Sequence, residues 1–164
     1  MIGMAKESFF IRKAVPVTNG SIEEVSIDLG FVVDALGKSV CRVHNIAVQY
    51  AVATFAGTTS DDITASFELG TQSAPGSYLT AADKSLISSG ALSGGVDGAG
   101  KQTFLSQALD VAPQHWTNGY LVGVDQLYLR SNGVRMIGTI YIVLECTVET
   151  MSQSAAMGLA LSQQ

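Results

Sequence analysis

The stretch Gly95-Val96-Asp97-Gly98-Ala99-Gly100-Lys101 carries the sharpest chemical signal in the chain, because it matches the G-x-x-x-x-G-K of a phosphate loop. In such a loop glycine N–H groups wrap phosphate oxygens and the lysine meets their charge. The motif also requires Ser or Thr next, to ligate Mg²⁺. Here Gln102 holds that place and Thr103 comes one residue late. A buried strand should precede it and a helix should follow, and residues 88–94, Ser-Ser-Gly-Ala-Leu-Ser-Gly, do not read as a strand. The stretch therefore reads as a flexible loop that happens to hold Gly-Lys. The histidines are His44 and His115 alone. A cupin-type metal site needs several histidines and a carboxylate on adjacent strands, and Arg42 stands where a second histidine near His44 would help. Cys41 and Cys146 form no C-x-x-C, and they read as two buried thiols acting as small hydrophobes. Their spacing alone leaves a disulfide open. The acidic pairs Asp61-Asp62 and Glu23-Glu24 suit Ca²⁺ by type, but each sits at a strand start, where solvated charge is the ordinary role. No G-x-S-x-G nucleophile elbow is present. The expectation is no catalytic residue, no metal and no cofactor.

Lys6, Arg12 and Lys13 make the one basic cluster, interrupted by Phe9, Phe10 and Ile11. As inner-surface contacts to nucleic acid or anionic lipid, three charges give weak, salt-sensitive binding. Bulk charge agrees: 9 basic against 14 acidic residues give a net −5, so strong nucleic-acid binding is not expected. Hydrophobic residues make up 47% and charged ones 14% of the 164 residues, where about 25% charged is usual. Spread over the surface of a monomer this size, each charge would have to keep roughly 340 Å² wet. That excludes a disordered chain, a supercharged protein and a basic nucleic-acid binder. It also implies that much of the surface is covered by copies of the same chain. The start Met1-Ile2-Gly3-Met4-Ala5-Lys6-Glu7 lacks the apolar core of a signal peptide, and no run of 18 apolar residues exists, so neither a leader nor a membrane span is expected.

Period-two alternation supplies the elements that must position these residues. Phe9 to Val15 is a first strand signal, closed by Pro16 and by Asn19-Gly20, which reads as a turn. In Glu24 to Leu29, residues Val25, Ile27 and Leu29 share one face. Val40 to Phe55 is a long strand whose alternation changes phase near Asn45, predicting a bulge there. Asp62 to Leu69 is the cleanest case, with Ile63, Ala65, Phe67 and Leu69 facing in and Asp62, Thr64, Ser66 and Glu68 facing out. Residues 80–88 read as a short helix, with Thr80 and Asp83 as a variant capping box. Ser88 to Gly100 reads as a Gly/Ser/Ala loop and Pro113 to Asn118 as a second loop, holding His115 and Trp116. Tyr120–Val124 and Gln126–Arg130 read as strand, Ser131-Asn132-Gly133 as a turn, and Val134 to Met151 as the longest strand. The uncharged tail 152–164 reads as a small helix or an arm laid on a neighbour. The sum is an all-β fold: a two-sheet antiparallel sandwich of jelly-roll topology with about eight strands and one short helix. The expected organisation is an arm over 1–8, a jelly-roll domain over 9–151 and a tail over 152–164.

The segment Ser26-Ile27-Asp28-Leu29-Gly30-Phe31-Val32-Val33 leading into Val43-His44-Asn45-Ile46-Ala47-Val48-Gln49-Tyr50 resembles the first strands of small single jelly-roll viral capsid proteins. The resemblance lies in whole-chain features: a short polar start, few charges, Gly/Ser loops and a tail of small residues. It implies a structural protein of the virion, made in the host cytoplasm, whose partners are copies of itself in a large symmetric assembly and other virion proteins. Shell proteins that condense a genome carry an Arg/Lys-rich arm, and this chain has none. That departure suits a shell whose genome is screened by other proteins or by an internal membrane. Major capsid protein is the first expectation. A lectin-like β-sandwich binding module and a minor capsid or cement protein are the alternatives, and a small jelly-roll enzyme is the third. Charges are nearly missing from 85–100 and absent from 152–164. The expected interface residues are therefore Leu92, His115, Trp116, Tyr120, Met157, Leu159 and Leu161, with Trp and Tyr the types that anchor contacts.

Overall fold

The structure is a computed structural model that describes residues 7–34, 36, 38–54, 62–99 and 101–164. Among the described residues it has nine strands and one helix: β1 (Phe9–Val17), β2 (Ile22–Asp28), β3 (Ser39–Thr54), β4 (Asp62–Gly70), β5 (Leu86–Val96), β6 (Gln102–Val111), β7 (Tyr120–Val122), β8 (Gln126–Val134), β9 (Met136–Thr150) and α1 (Gln153–Ser162). A 3-10 turn at Pro113–His115 precedes β7. One sheet has the order β1-β9-β3-β7 and the other β2-β8-β4-β5-β6, with every pairing antiparallel. With β6 set aside, the first strand pairs the last, the second the last but one, and so on inward. That is one long hairpin rolled across two layers. The sandwich is a jelly roll.

Alternation explains the layers. Ile63, Ala65, Phe67 and Leu69 of β4 are all fully buried, facing Val15, Val17, Ile140, Ile142 and Leu144 of the opposite sheet. The expected phase change in β3 is a register shift between Val43 and Asn45. Cys41 and Val43 point inward before it, Ile46 and Val48 after it, and His44 is the extra exposed residue. Cys41 and Cys146 are free thiols buried in this core on neighbouring strands. Hydrogen bonding to Cys41, with burial, holds the Cys146 thiol protonated.

Several elements differ from the sequence expectation. Residues 80–85 are turns in which Asp83 accepts from Ser85 N and Oγ at 2.9 and 2.7 Å, and β5 begins at Leu86, so no helix forms there. The β-propensity of Leu86-Ile87 and the pairing of both flanks outweigh a weak cap. The glycine-rich segment expected as a loop over 88–100 is most of β5. It lies flat between β4 and β6, and a Cβ at Gly90 would stand 2.6 Å from Ala108 O and 2.8 Å from the Phe67 ring. Glycine is there for close backbone approach, not for mobility. Ser131-Asn132-Gly133 is not a turn but the end of β8. The chain reverses at Arg135, whose φ is 58° and whose N–H donates to Asn19 Oδ1 at 2.9 Å. The helix of the fold is the tail, with Ser152 Oγ capping Ala155 N at 3.3 Å.

The connection 71–85 crosses the outer face of the second sheet as a strap. Glu24 (β2), Arg130 (β8) and Glu68 (β4) stand in one cross-strand row beneath it. Arg130 is fully buried and Glu68 is 1% exposed. Arg130 Nε donates to Glu68 Oε1 at 2.7 Å, while its Nη1 donates to Glu24 Oε2 at 3.0 Å and to Gln72 O at 2.9 Å. The carboxylates in turn hold the strap: Glu68 accepts from Leu79 N at 2.8 Å, and Glu24 from Ser73 Oγ at 2.6 Å and Ala74 N at 2.9 Å. Within the strap, burial against the sheet pushes the Tyr78 phenol up to about 12.

Burial raises the pKa of Glu24, but hydrogen bonds from Ser73, Ala74 and Arg130 outweigh it and leave the carboxyl below its ordinary 4.5. A carboxyl depressed in the fold contributes stability above its unfolded value and loses it as pH falls through the folded one. Acid is therefore expected to loosen the strap before the core. Pepsin at its acid optimum should cut first at Tyr78-Leu79, with the strands still protected, and mildly acidic digestion should leave that bond intact. First cuts inside β3 or β9 would overturn the order.

Candidate functional site

The outer faces of the two sheets are unlike. On the first sheet, cross-strand neighbours point the same way. Phe10, Glu145 and Asn45 make one row, Arg12, Val143 and Ala47 the next, and Ala14, Tyr141 and Gln49 the third, with Thr139 and Ala51 beyond. Among the described residues nothing covers these rows. Phe10 is 54% exposed, Tyr141 44% and Ile137 43%, and Ala47, Gln49 and Ala51 are exposed as well. The Arg12 guanidinium lies 5.8 Å from the Phe10 ring centre, within cation–π range. Arg12, Gln49, Tyr141 and Val143 border a shallow depression of about 400 Å³ in this face. At its lower end Arg42 Nη2 donates to Glu149 Oε2 at 2.9 Å, and His44 Nε2 sits 2.8 Å from Thr147 Oγ1.

A second apolar surface lies at the end of the sandwich where residues 29–34, 36, 112–119, 123–125 and the tail meet. Phe31, Leu36 and Leu161 are 68–72% exposed there, and Trp116 is half exposed. Trp116 packs edge-on against Tyr120 with ring centres 6.3 Å apart. The Tyr120 phenol donates to Lys84 O at 3.4 Å. Helix α1 docks on its own chain. Gln163, 4% exposed, donates to Leu121 O at 2.7 Å and accepts from Gly123 N at 2.8 Å, and its carbonyl takes the Thr71 hydroxyl at 2.9 Å. Leu159 packs against Gly123, while Met157 and Leu161 face solvent.

Thus Trp116, Tyr120 and the tail come together at one end, with His115 exposed beside them. Leu92 does not join them: it is half-buried against the core of its own chain. Arg12 lies on the open sheet face and Lys13 is half-buried beside it. Lys6 and Asp61 lie outside the described residues. Glu23 and Glu24 are successive residues of one strand and point to opposite faces. Glu23 accepts from Thr18 Oγ1 and Glu24 from Arg130, so the two cannot share an ion. The phosphate-loop motif is a strand-to-strand reversal. Asp97 Oδ1 already takes the N–H groups of Ala99 and Lys101, at 2.9 and 2.8 Å, so a carboxylate stands where a phosphate would have to sit. Among the described residues no three His, Cys, Asp or Glu side chains gather as a metal site, and no helix is long and apolar enough to cross a membrane. The buried Arg130 network and the Gln163 anchor had no sequence signal beyond an arginine in an alternating strand and a polar residue in an uncharged tail.

The chain is similar in fold to polyomavirus VP1, a jelly-roll capsid protein. The VP1 pentamer of Human Polyomavirus 7 aligns over 88% of this chain and 95% of its own at 8% identity, with a TM-score of 0.48. The unassembled VP1 pentamer of Washington University Polyomavirus aligns over 86% and 91% at 8% identity and 0.48. Merkel cell polyomavirus VP1 in complex with 3'-sialyllactosamine aligns over 90% and 96% at 7% identity and 0.43. The likeness is one of fold. No protein-family model and no curated protein sequence matches the chain.

Proposed function

We propose that the chain is a structural protein that assembles with copies of itself into a virion shell, most simply as its major capsid protein. One observation carries the reading. The charged row of the second sheet is covered by the chain's own strap, while the outer face of the first sheet, with Phe10, Tyr141 and Ile137, and the apolar end are left open. A free monomer gains nothing from that distribution, since exposed apolar area of this extent marks an interaction surface. The work of such a protein is burial between copies and not chemistry. The contact elements are the end cluster of Trp116, Tyr120, Met157, Leu159 and Leu161 with His115 at its rim. The β5–β6 hairpin contributes through β6, the edge strand of the second sheet, rather than through Leu92. Lys13, half-buried at the edge of the open sheet, is left to meet other virion components.

The test is the size of the purified chain by light scattering and negative-stain microscopy. Closed particles or rings are expected. Trp116→Ala should raise the concentration needed for assembly by roughly 30-fold, the loss of one interface anchor of about 2 kcal/mol. A stable 17.1 kDa monomer that retains a sugar on a glycan array would instead identify a lectin-like module and overturn the reading.

A further inference from the structure

We propose that the open outer face of the β1-β9-β3-β7 sheet is a contact between two copies of this chain, packed face to face about a two-fold axis. This rests on the self-assembly reading and names the surface that performs it. Size is the first argument. Three strands spaced about 4.8 Å apart, with the longest rising about 3.3 Å per residue, present a patch on the order of 700 Å². A standard stable interface takes about 800 Å² from each partner.

Charge is the second argument. The chain carries −5 overall, so approach between copies is opposed on most surfaces. On the central rows of this face the charged residues are Arg12 and Glu145, one row apart on adjacent strands, and they sum to zero. An axis crossing the strands between those two rows brings Arg12 of each copy toward Glu145 of the other, so the pair is made twice. The axis also passes near the middle of β9, so the two faces overlap along most of their length.

The experiment uses the full chain, with association followed by sedimentation velocity and folding checked by circular dichroism. Ala47→Arg places a charge at an exposed central position without touching the core, and should weaken association by roughly a hundredfold, as uncompensated charge in an interface does. Arg12→Glu and Glu145→Arg should each weaken association, and the double exchange should restore it to nearly the wild-type level. Association unchanged by Ala47→Arg would overturn the face as a contact while leaving self-assembly standing. Single exchanges that weaken association with no recovery in the double variant would overturn the two-fold pairing. A wild-type chain that stays monomeric would overturn self-assembly itself.

Discussion

Arg130→Met is expected to cost about 3–5 kcal/mol of folding stability, because it strands a carboxylate inside the protein. Glu68 is 1% exposed and has Arg130 as its ion-pair partner, with Leu79 N as its further donor. Methionine matches the length of the arginine stem but supplies no counter-charge, so Glu68 keeps its desolvation and loses its compensation. Glu24 is affected less, since it is partly exposed and keeps Ser73 and Ala74. At about 2–4 °C per kcal/mol for a chain this long, the midpoint of thermal unfolding should drop by roughly 6–20 °C. Adding Glu68→Gln removes the stranded charge and should recover part of that loss. The double-variant result separates a charge effect from simple loss of packing. Urea titration of the dissociated chain is the measurement, and a loss under about 1 kcal/mol for Arg130→Met would sink the account.

Phe67→Ala is expected to cost a similar about 3–5 kcal/mol, for an apolar reason. Its ring is fully buried, lies 6.4 Å from the Tyr50 ring, and fills the space that a side chain at position 90 would need. Gly90 sits under the ring edge, hemmed on the other side by the Ala108 carbonyl of β6. Gly90→Ala alone should therefore destabilise by about 1–3 kcal/mol through overpacking. In a Phe67→Leu background the same alanine should be better tolerated, because the shorter side chain removes one of the two clashes. A double-mutant cycle reads the coupling directly. Strict additivity of the two substitutions would show that the ring and the glycine do not share that space.

These two sites show where sequence reading succeeds and where it stops. Phe67 was legible because β4 alternates without interruption, and alternation is a local consequence of the pleat. The bulge at His44 was legible for the same reason: an extra residue shifts the parity of everything after it. The strand over 86–96 was not legible. Its glycines and serines look like loop residues until the closeness of β4, β6 and the Phe67 ring is known. The reversal at Arg135 was missed because Ser131-Asn132-Gly133 carries better turn residues than the place where the chain turns. There pairing with β2 and β4 extends β8 through the local signal.

The candidate surfaces divide along the same line. Their composition was readable: an uncharged tail, a lone tryptophan and a scarcity of charge. Which apolar positions stay open was not, because that depends on what crosses each sheet. The sequence by itself determined an all-β sandwich with a well-defined inner face, since period-two patterning follows from backbone geometry one strand at a time. Only the tertiary structure decided that Glu24, Arg130 and Glu68 meet under a strap, that Gln163 ties the tail to its own chain, and that the outer face of the first sheet is left bare. Those facts depend on the order and register of strands far apart in the chain, and register is set by the whole core at once rather than by any one segment.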